Sequence, residues 1–170
     1  MSACPRADSQ ACYPSLVQSL LCYGYGNDTM VRFLQVLQQH GISGVLDIRD
    51  EGLQIRDEFD PEQLAELLSR LSILYLQVPI LMVPDDLASR PRTNGSAGSF
   101  LEEYSQYLAN LDPEARRQLG KLSDLEGNWM LLCAEEDPAI CHRRIAGLFL
   151  GKLLGITAEA VRELGSEESS

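Results

Sequence analysis

Residues 128–154, NWMLLCAEEDPAICHRRIAGLFLGKLL, constrain the fold more than any other stretch of the chain. Trp129 to Cys133 is a short apolar run of the length that suits a buried strand. Asp137 is a good helix N-cap, and Pro138 follows where the first residue of a helix tolerates proline. Beyond Ala139 the residues Ile145, Leu148, Phe149 and Leu153 recur at helical spacing. The pattern predicts a strand ending at Cys133, a tight acidic loop, and a helix from Pro138. That helix would carry Cys141, His142, Arg143 and Arg144 in its first two turns. A strand end that delivers one cysteine beside a helix start bearing a second cysteine, a histidine and two arginines is a place where chemistry can be built.

The rest of the chain repeats the strand-then-helix rhythm. Residues 16–23 read as a strand with a glycine-containing exit, Tyr23-Gly24-Tyr25-Gly26-Asn27. Asn27 or Asp28 caps a helix over residues 29–40, and Gly41 closes it. Residues 44–48 form a second strand that ends in Asp47-Ile48-Arg49. Asp60-Pro61-Glu62-Gln63 opens a helix to about residue 71, and residues 73–78 form a third strand. Residues 79–98 read as a long loop with one helical turn near Pro84. Helices follow at 100–108 and 115–125, and a last short helix at 158–164. Strands alternating with helices predict an α/β fold: three layers, with an about four-stranded, mainly parallel sheet and helices on both faces. The opening resembles half of a Rossmann-type fold, which predicts strand order 3-2-1-4. Ligands in such sheets bind at the carboxyl ends of the strands. Residues 15–165 are read as a single domain, flanked by a loose arm at 1–14 and a disordered acidic tail at 166–170.

Charge narrows the partners. The 170-residue chain carries a formal net charge of −11. That argues against general nucleic-acid binding and against an anionic membrane surface. No stretch approaches the roughly eighteen apolar residues of a membrane span. Its five cysteines form no regular framework, so a secreted disulfide scaffold is not expected. With no apolar leader-like run, the expectation is a cytoplasmic protein. Oligomeric state stays open.

Several segments together resemble the domain-of-unknown-function family 488. They are CYGYGN at 22–27, FLQVLQQHGI at 33–42, LDIR at 46–49 and, above all, LLCAEEDPAICHRR at 131–144. The resemblance spans about residues 20–150 and implies a three-layer α/β domain with a polar site of unassigned activity. One stretch departs from it. Family members usually continue after the second strand with Pro, Ser and Arg; here Asp50-Glu51-Gly52-Leu53-Gln54-Ile55-Arg56 is acidic. That departure marks a divergent member and weighs against a phosphate substrate that relies on this stretch.

The candidate site therefore gathers at the carboxyl edge of the sheet. Cys133, Cys141, His142 and Asp47 are the candidate catalytic groups: thiol nucleophiles or a redox pair, a proton carrier, and a general acid or base. Tyr23, Asn27, Arg49 and Arg143 are the candidate ligand-binding groups for a small anionic ligand. The alternative is a non-catalytic interaction domain in which the same residues form a structural polar network. The spacing from Cys133 to the helix does not match the phosphatase or rhodanese loop, because residue 139 is alanine. A metal is not expected, since Cys133, Cys141 and His142 supply three ligands and a closed site takes four. No cofactor is expected either, because the glycines at 24 and 26 fall short of GxGxxG.

Overall fold

The computed structural model describes residues 16–50, 55–90 and 95–164. The expected arm at 1–14, the tail at 166–170 and most of the acidic stretch after Asp50 lie outside the described residues. Among those described, no helix is long and apolar enough to cross a membrane.

Among the described residues, five strands form one all-parallel sheet: β1 (Val17–Gly24), β2 (Ile42–Asp47), β3 (Leu74–Gln77), β4 (Gly127–Cys133) and β5 (Val161–Glu163). Between them run helices α1 (Met30–Gln39), α2 (Pro61–Arg70), the one-turn α3 (Asp85–Ala88), α4 (Ala97–Ala109), α5 (Pro113–Gly120) and α6 (Arg143–Leu154). The strand order is β3-β2-β4-β1-β5. This corrects two expectations. The predicted order 3-2-1-4 placed β4 outside β1, whereas β4 sits between β1 and β2. The predicted terminal helix is a 3-10 turn, Ala158–Ala160, followed by the fifth strand. Three residues of strand are too few to show a period, and AEAVREL reads equally well as a helix.

Local chemistry explains most element boundaries. Thr29, not Asn27 or Asp28, caps α1 by accepting the Arg32 N–H at 3.2 Å. Asp60 accepts the N–H groups of Glu62 and Gln63, each at 3.1 Å, ahead of Pro61 at the start of α2. Asp112 does the same for α5 through Ala115 N–H at 2.8 Å. The middle strands are buried on both faces, as a covered parallel sheet requires.

The two faces carry separate cores. On one, Phe33, Val36 and Leu37 of α1 and Leu64 and Leu68 of α2 pack on Leu21, Val45, Met130 and Leu132. On the other, Tyr104 and Leu108 of α4, Leu119 of α5 and Ala146 and Leu150 of α6 pack on Leu20, Cys22, Leu46, Trp129 and Leu131. The loops after β1 and β2 thus lead to one face and the loop after β4 to the other. Their divergence falls at the carboxyl end of β4, the kind of switch point where α/β sheets hold their sites.

The face of α6 that meets the sheet is not the one its large apolar residues predict. Ala146, Gly147, Leu150, Gly151 and Leu154 are buried there, while Leu148 is exposed. Ile145, Phe149 and Leu153 instead turn toward α4 and α5, where they line a groove of about 700 Å³ with Leu108, Ala109 and Arg116. Small residues let the helix lie close on β1. A Cβ added at Gly147 would stand 2.7 Å from Cys22 Sγ and 3.2 Å from Leu131. Gly147→Ala is therefore expected to destabilise the fold by about 1–3 kcal/mol through overpacking, measured by urea denaturation.

Candidate functional site

The β-ladder fixes where the carboxyl ends meet. Gly24 pairs with Cys133 on one side of β4, and Asp47 pairs with Leu132 on the other. The ladder continues past the strands: Tyr25 N–H donates to Cys133 O at 3.2 Å, Gly26 N–H to Ala134 O at 3.0 Å, and Ile48 N–H to Leu132 O at 3.2 Å. Gly24 is needed at this junction. A Cβ there would fall 1.8 Å from the Glu135 carbonyl oxygen, so only glycine lets the loop after β4 fold back over β1.

That loop returns to α6 through a turn rather than a helix. The predicted helix from Pro138 begins five residues later, at Arg143, with His142 as its N-cap. Asp137 caps only a local turn, accepting Ala139 N–H at 2.8 Å. Cys141 and His142 thus precede the helix. Cys141 still feels the helix start, because Arg143 N–H, the first amide of α6, points at its Sγ from 3.4 Å.

Four side chains converge here. Cys133 Sγ lies 3.1 Å from Cys141 Sγ, 2.7 Å from Glu135 Oε2 and 3.9 Å from His142 Nδ1. Cys141 Sγ lies 3.4 Å from the same Glu135 oxygen. Donor atoms of all four residues fall within 4.8 Å of one another. Cys133, Cys141 and His142 are buried and Glu135 is half-buried. His142 Nε2 is 3.0 Å from the Ile48 carbonyl oxygen. A carbonyl can only accept, so Nε2 carries the proton and Nδ1 faces the sulfurs. The Tyr104 ring meets the imidazole edge-on at 5.0 Å, and its hydroxyl donates to Leu81 O at 2.7 Å. Glu135 is the member of the cluster that sequence reasoning left out. The available signal was a second donor two residues after Cys133, set on a loop that must turn back toward Cys141.

The environment splits the two thiols. For Cys133, burial and the neighbouring Cys141 push the pKa well up. For Cys141, burial also pushes up, but hydrogen bonds involving Cys133 and His142 outweigh it and bring the pKa from 9.0 down to about 6. Burial lowers the His142 pKa, and the facing Cys141 more than restores it. These shifts favour the thiolate at Cys141 and the imidazolium at His142, with Cys133 held as the thiol beside them.

The arginines expected to clamp a ligand have protein partners. Arg143 donates through Nη1 to Glu135 O at 2.6 Å, through Nη2 to Glu136 O at 3.0 Å and through Nε to Glu163 at 2.6 Å. Arg49 grips Asp47 through Nε at 2.8 Å and Nη2 at 2.5 Å, and donates to Phe59 O at 2.7 Å. Tyr75 donates to the same Asp47 carboxylate at 2.5 Å. Asp47 and Arg49 contact residues on the α1/α2 face, whereas the cysteines lie toward α6, so the structure does not bring Asp47 to the thiols. Tyr23 donates to Asp28, and Asn27 donates to Glu136 at 3.3 Å, tying the loops after β1 and β4 together. Arg56, at the end of the divergent acidic stretch, donates to Gly26 O at 3.1 Å and Asp28 O at 2.8 Å.

Fold and site together define a parallel α/β domain with a buried thiol–imidazole–carboxylate cluster at the carboxyl end of its central strand. The chain belongs to the family described as domain of unknown function DUF488, whose profile matches residues 29–150. Neither the curated proteins nor the solved structures yield a match.

Two measurements check this geometry. Arg143→Ala strands two carbonyls and Glu163, and is expected to cost about 3 kcal/mol or more in urea denaturation. In reduced, metal-free protein the ultraviolet thiolate absorbance should appear as pH rises through about 6, where Cys141 ionises. Cys141→Ser should remove that step. Cys133→Ala, which deletes a hydrogen-bonding partner, should move it upward.

Proposed function

We propose that the Cys133–Cys141 pair is a reversible thiol-redox centre that answers to small oxidants of the hydroperoxide class. The observation that carries this reading is the contact itself: two reduced cysteines with their sulfurs 3.1 Å apart, set between an imidazole and a carboxylate. Both thiols are at most 1 % exposed, which favours a small oxidant over a bulky disulfide substrate.

The chemistry balances with the groups present. The Cys141 thiolate attacks the O–O bond of the peroxide; an S–O bond forms, the O–O bond breaks, and hydroxide leaves. The His142 imidazolium gives that hydroxide its proton, releasing water. The Cys133 thiol then attacks the oxidised sulfur. An S–S bond forms, the S–O bond breaks, and the departing hydroxide takes the Cys133 proton as a second water. Two thiols and one peroxide become a disulfide and two waters.

In this reading Cys141 is the reacting thiol, Cys133 resolves it, and His142 manages the proton. Arg143 and Arg49 hold the edge together. Their full engagement favours a second reading, in which the whole edge is a structural polar network without turnover.

Oxidation separates the two. Treating reduced protein with stoichiometric hydrogen peroxide should link Cys133 to Cys141, seen by peptide mapping under non-reducing conditions and reversed by dithiothreitol. In Cys133→Ser the reaction should stop at a Cys141 sulfenic acid that dimedone traps. If both thiols stay reduced until the chain is unfolded, the redox reading fails and the network reading stands.

A further inference from the structure

We infer that the cluster is also a closed metal site for a soft divalent cation of the zinc class, with Cys133 Sγ, Cys141 Sγ, His142 Nδ1 and a Glu135 carboxylate oxygen as its four ligands. This inference rests on the reading that the cluster, rather than another part of the surface, is the functional centre.

The donor set fits. Thiolate, imidazole and carboxylate are the ligand types zinc takes, and four of them make a tetrahedral site with no open position. Bond lengths of that chemistry place tetrahedral ligands about 3.5–3.8 Å apart. The contacts here run from 2.7 to 3.9 Å. Shifts of about 1 Å or less would therefore open the cluster around an ion. The four residues come in two pairs, Cys133 with Glu135 on the loop leaving β4, and Cys141 with His142 at the entry to α6. The turn between them wraps the cluster.

The surroundings fit as well, on observations independent of the four donors. The Ile48 carbonyl holds His142 Nε2–H at 3.0 Å, the outer partner that fixes a ligating imidazole with its other nitrogen bare. The Arg143 amide points at Cys141 Sγ, as backbone amides do toward charged sulfur. Two thiolates, one carboxylate and a divalent ion leave one net negative charge, and the Arg143 guanidinium lies against the Glu135 carbonyl beside it. Burial of both sulfurs and the imidazole limits the water that could compete for the ion. Having no open position, the site would stabilise and regulate; it would not activate water. Metal and disulfide are then alternative states of the same two sulfurs, because a sulfur committed to an S–S bond has no thiolate to offer.

The test is cobalt(II) titration of the reduced, chelator-treated full chain, followed by optical spectroscopy. One cobalt per chain is expected, with sulfur-to-cobalt charge-transfer bands and the visible bands of tetrahedral coordination, both displaced by zinc. Glu135→Gln should weaken uptake at least about tenfold, while Glu136→Gln, a neighbour outside the donor set, should not. Circular dichroism of both variants confirms that the fold is intact. Uptake without charge-transfer bands, or undiminished in Cys133→Ser/Cys141→Ser, would mean adventitious binding to surface carboxylates and overturn the inference. No uptake by protein that still forms the Cys133–Cys141 disulfide would overturn it too, leaving the redox reading standing. Thiolate-bound cobalt in a protein that peroxide cannot link would uphold the metal site and remove the redox reading.

Discussion

The position of β4 decides the rest. Because β4 hydrogen-bonds to β1 on one side and β2 on the other, its carboxyl end is held in register with both neighbours. Three backbone bonds beyond the regular strands then pin the first loop residues at the edge. A cysteine at that point cannot drift. Its partners are Glu135 from the returning loop and Cys141 and His142 from the approach to α6, and the Ile48 carbonyl from β2's exit holds that histidine. Had β4 been an outer strand, only one neighbour would fix the edge, and the Ile48 carbonyl would not reach His142.

Burial of charge at this edge follows the rule that a buried ion must be fully paired. Arg143 is 1 % exposed and uses its fork on two carbonyls and Glu163. Arg49 is 2 % exposed and shares Asp47 with Tyr75. Neither fork is a bystander. Arg143 fastens the loop after β4 to β5, and Arg49 fastens the end of β2 to the turn before α2 through the Phe59 carbonyl. Guanidinium suits both tasks because its planar donors reach several acceptors at once, which an ammonium cannot do. Such pairs do little for net stability and much for uniqueness of arrangement, and a cluster of four reactive side chains depends on uniqueness.

The sequence made the alternation of strands and helices legible, because capping residues and buried runs are local signals. Asp60 sits beside its helix and Gly41 lies just past one, while the cap of α1 falls on Thr29, one or two residues after the expected Asn27 or Asp28. Strand order was not legible. It depends on which edge a returning strand enters, and nothing in the residues of β4 distinguishes a central slot from an outer one. The α6 start failed for a related reason. Asp137-Pro138 has the chemistry of a helix cap, yet the sulfur cluster holds residues 139–142 in a turn, and tertiary contacts override the local preference. The buried face of α6 failed because periodicity weights large side chains, whereas close packing on β1 and β5 selects Gly147 and Gly151. At the site, the motif cysteines and His142 were visible as a group. Glu135 was not, since an acidic residue in an acidic loop reads as solvated until the loop's path is known.

The geometry also says how a change at sulfur would be felt elsewhere. Cys141 Sγ is an acceptor for the first amide of α6, so its charge favours that helix end as any anion at an N-terminus does. Converting the thiolate to one half of a disulfide removes the charge, whereas a bound cation keeps the sulfur anionic and fixes its position. Both events act on Arg143, whose amide touches the sulfur and whose guanidinium holds the loop and β5. The residue whose amide touches the sulfur is thus the residue that fastens the last strand. The same contacts that make the edge rigid are those through which the chemistry of two sulfurs would reach the outside of the fold.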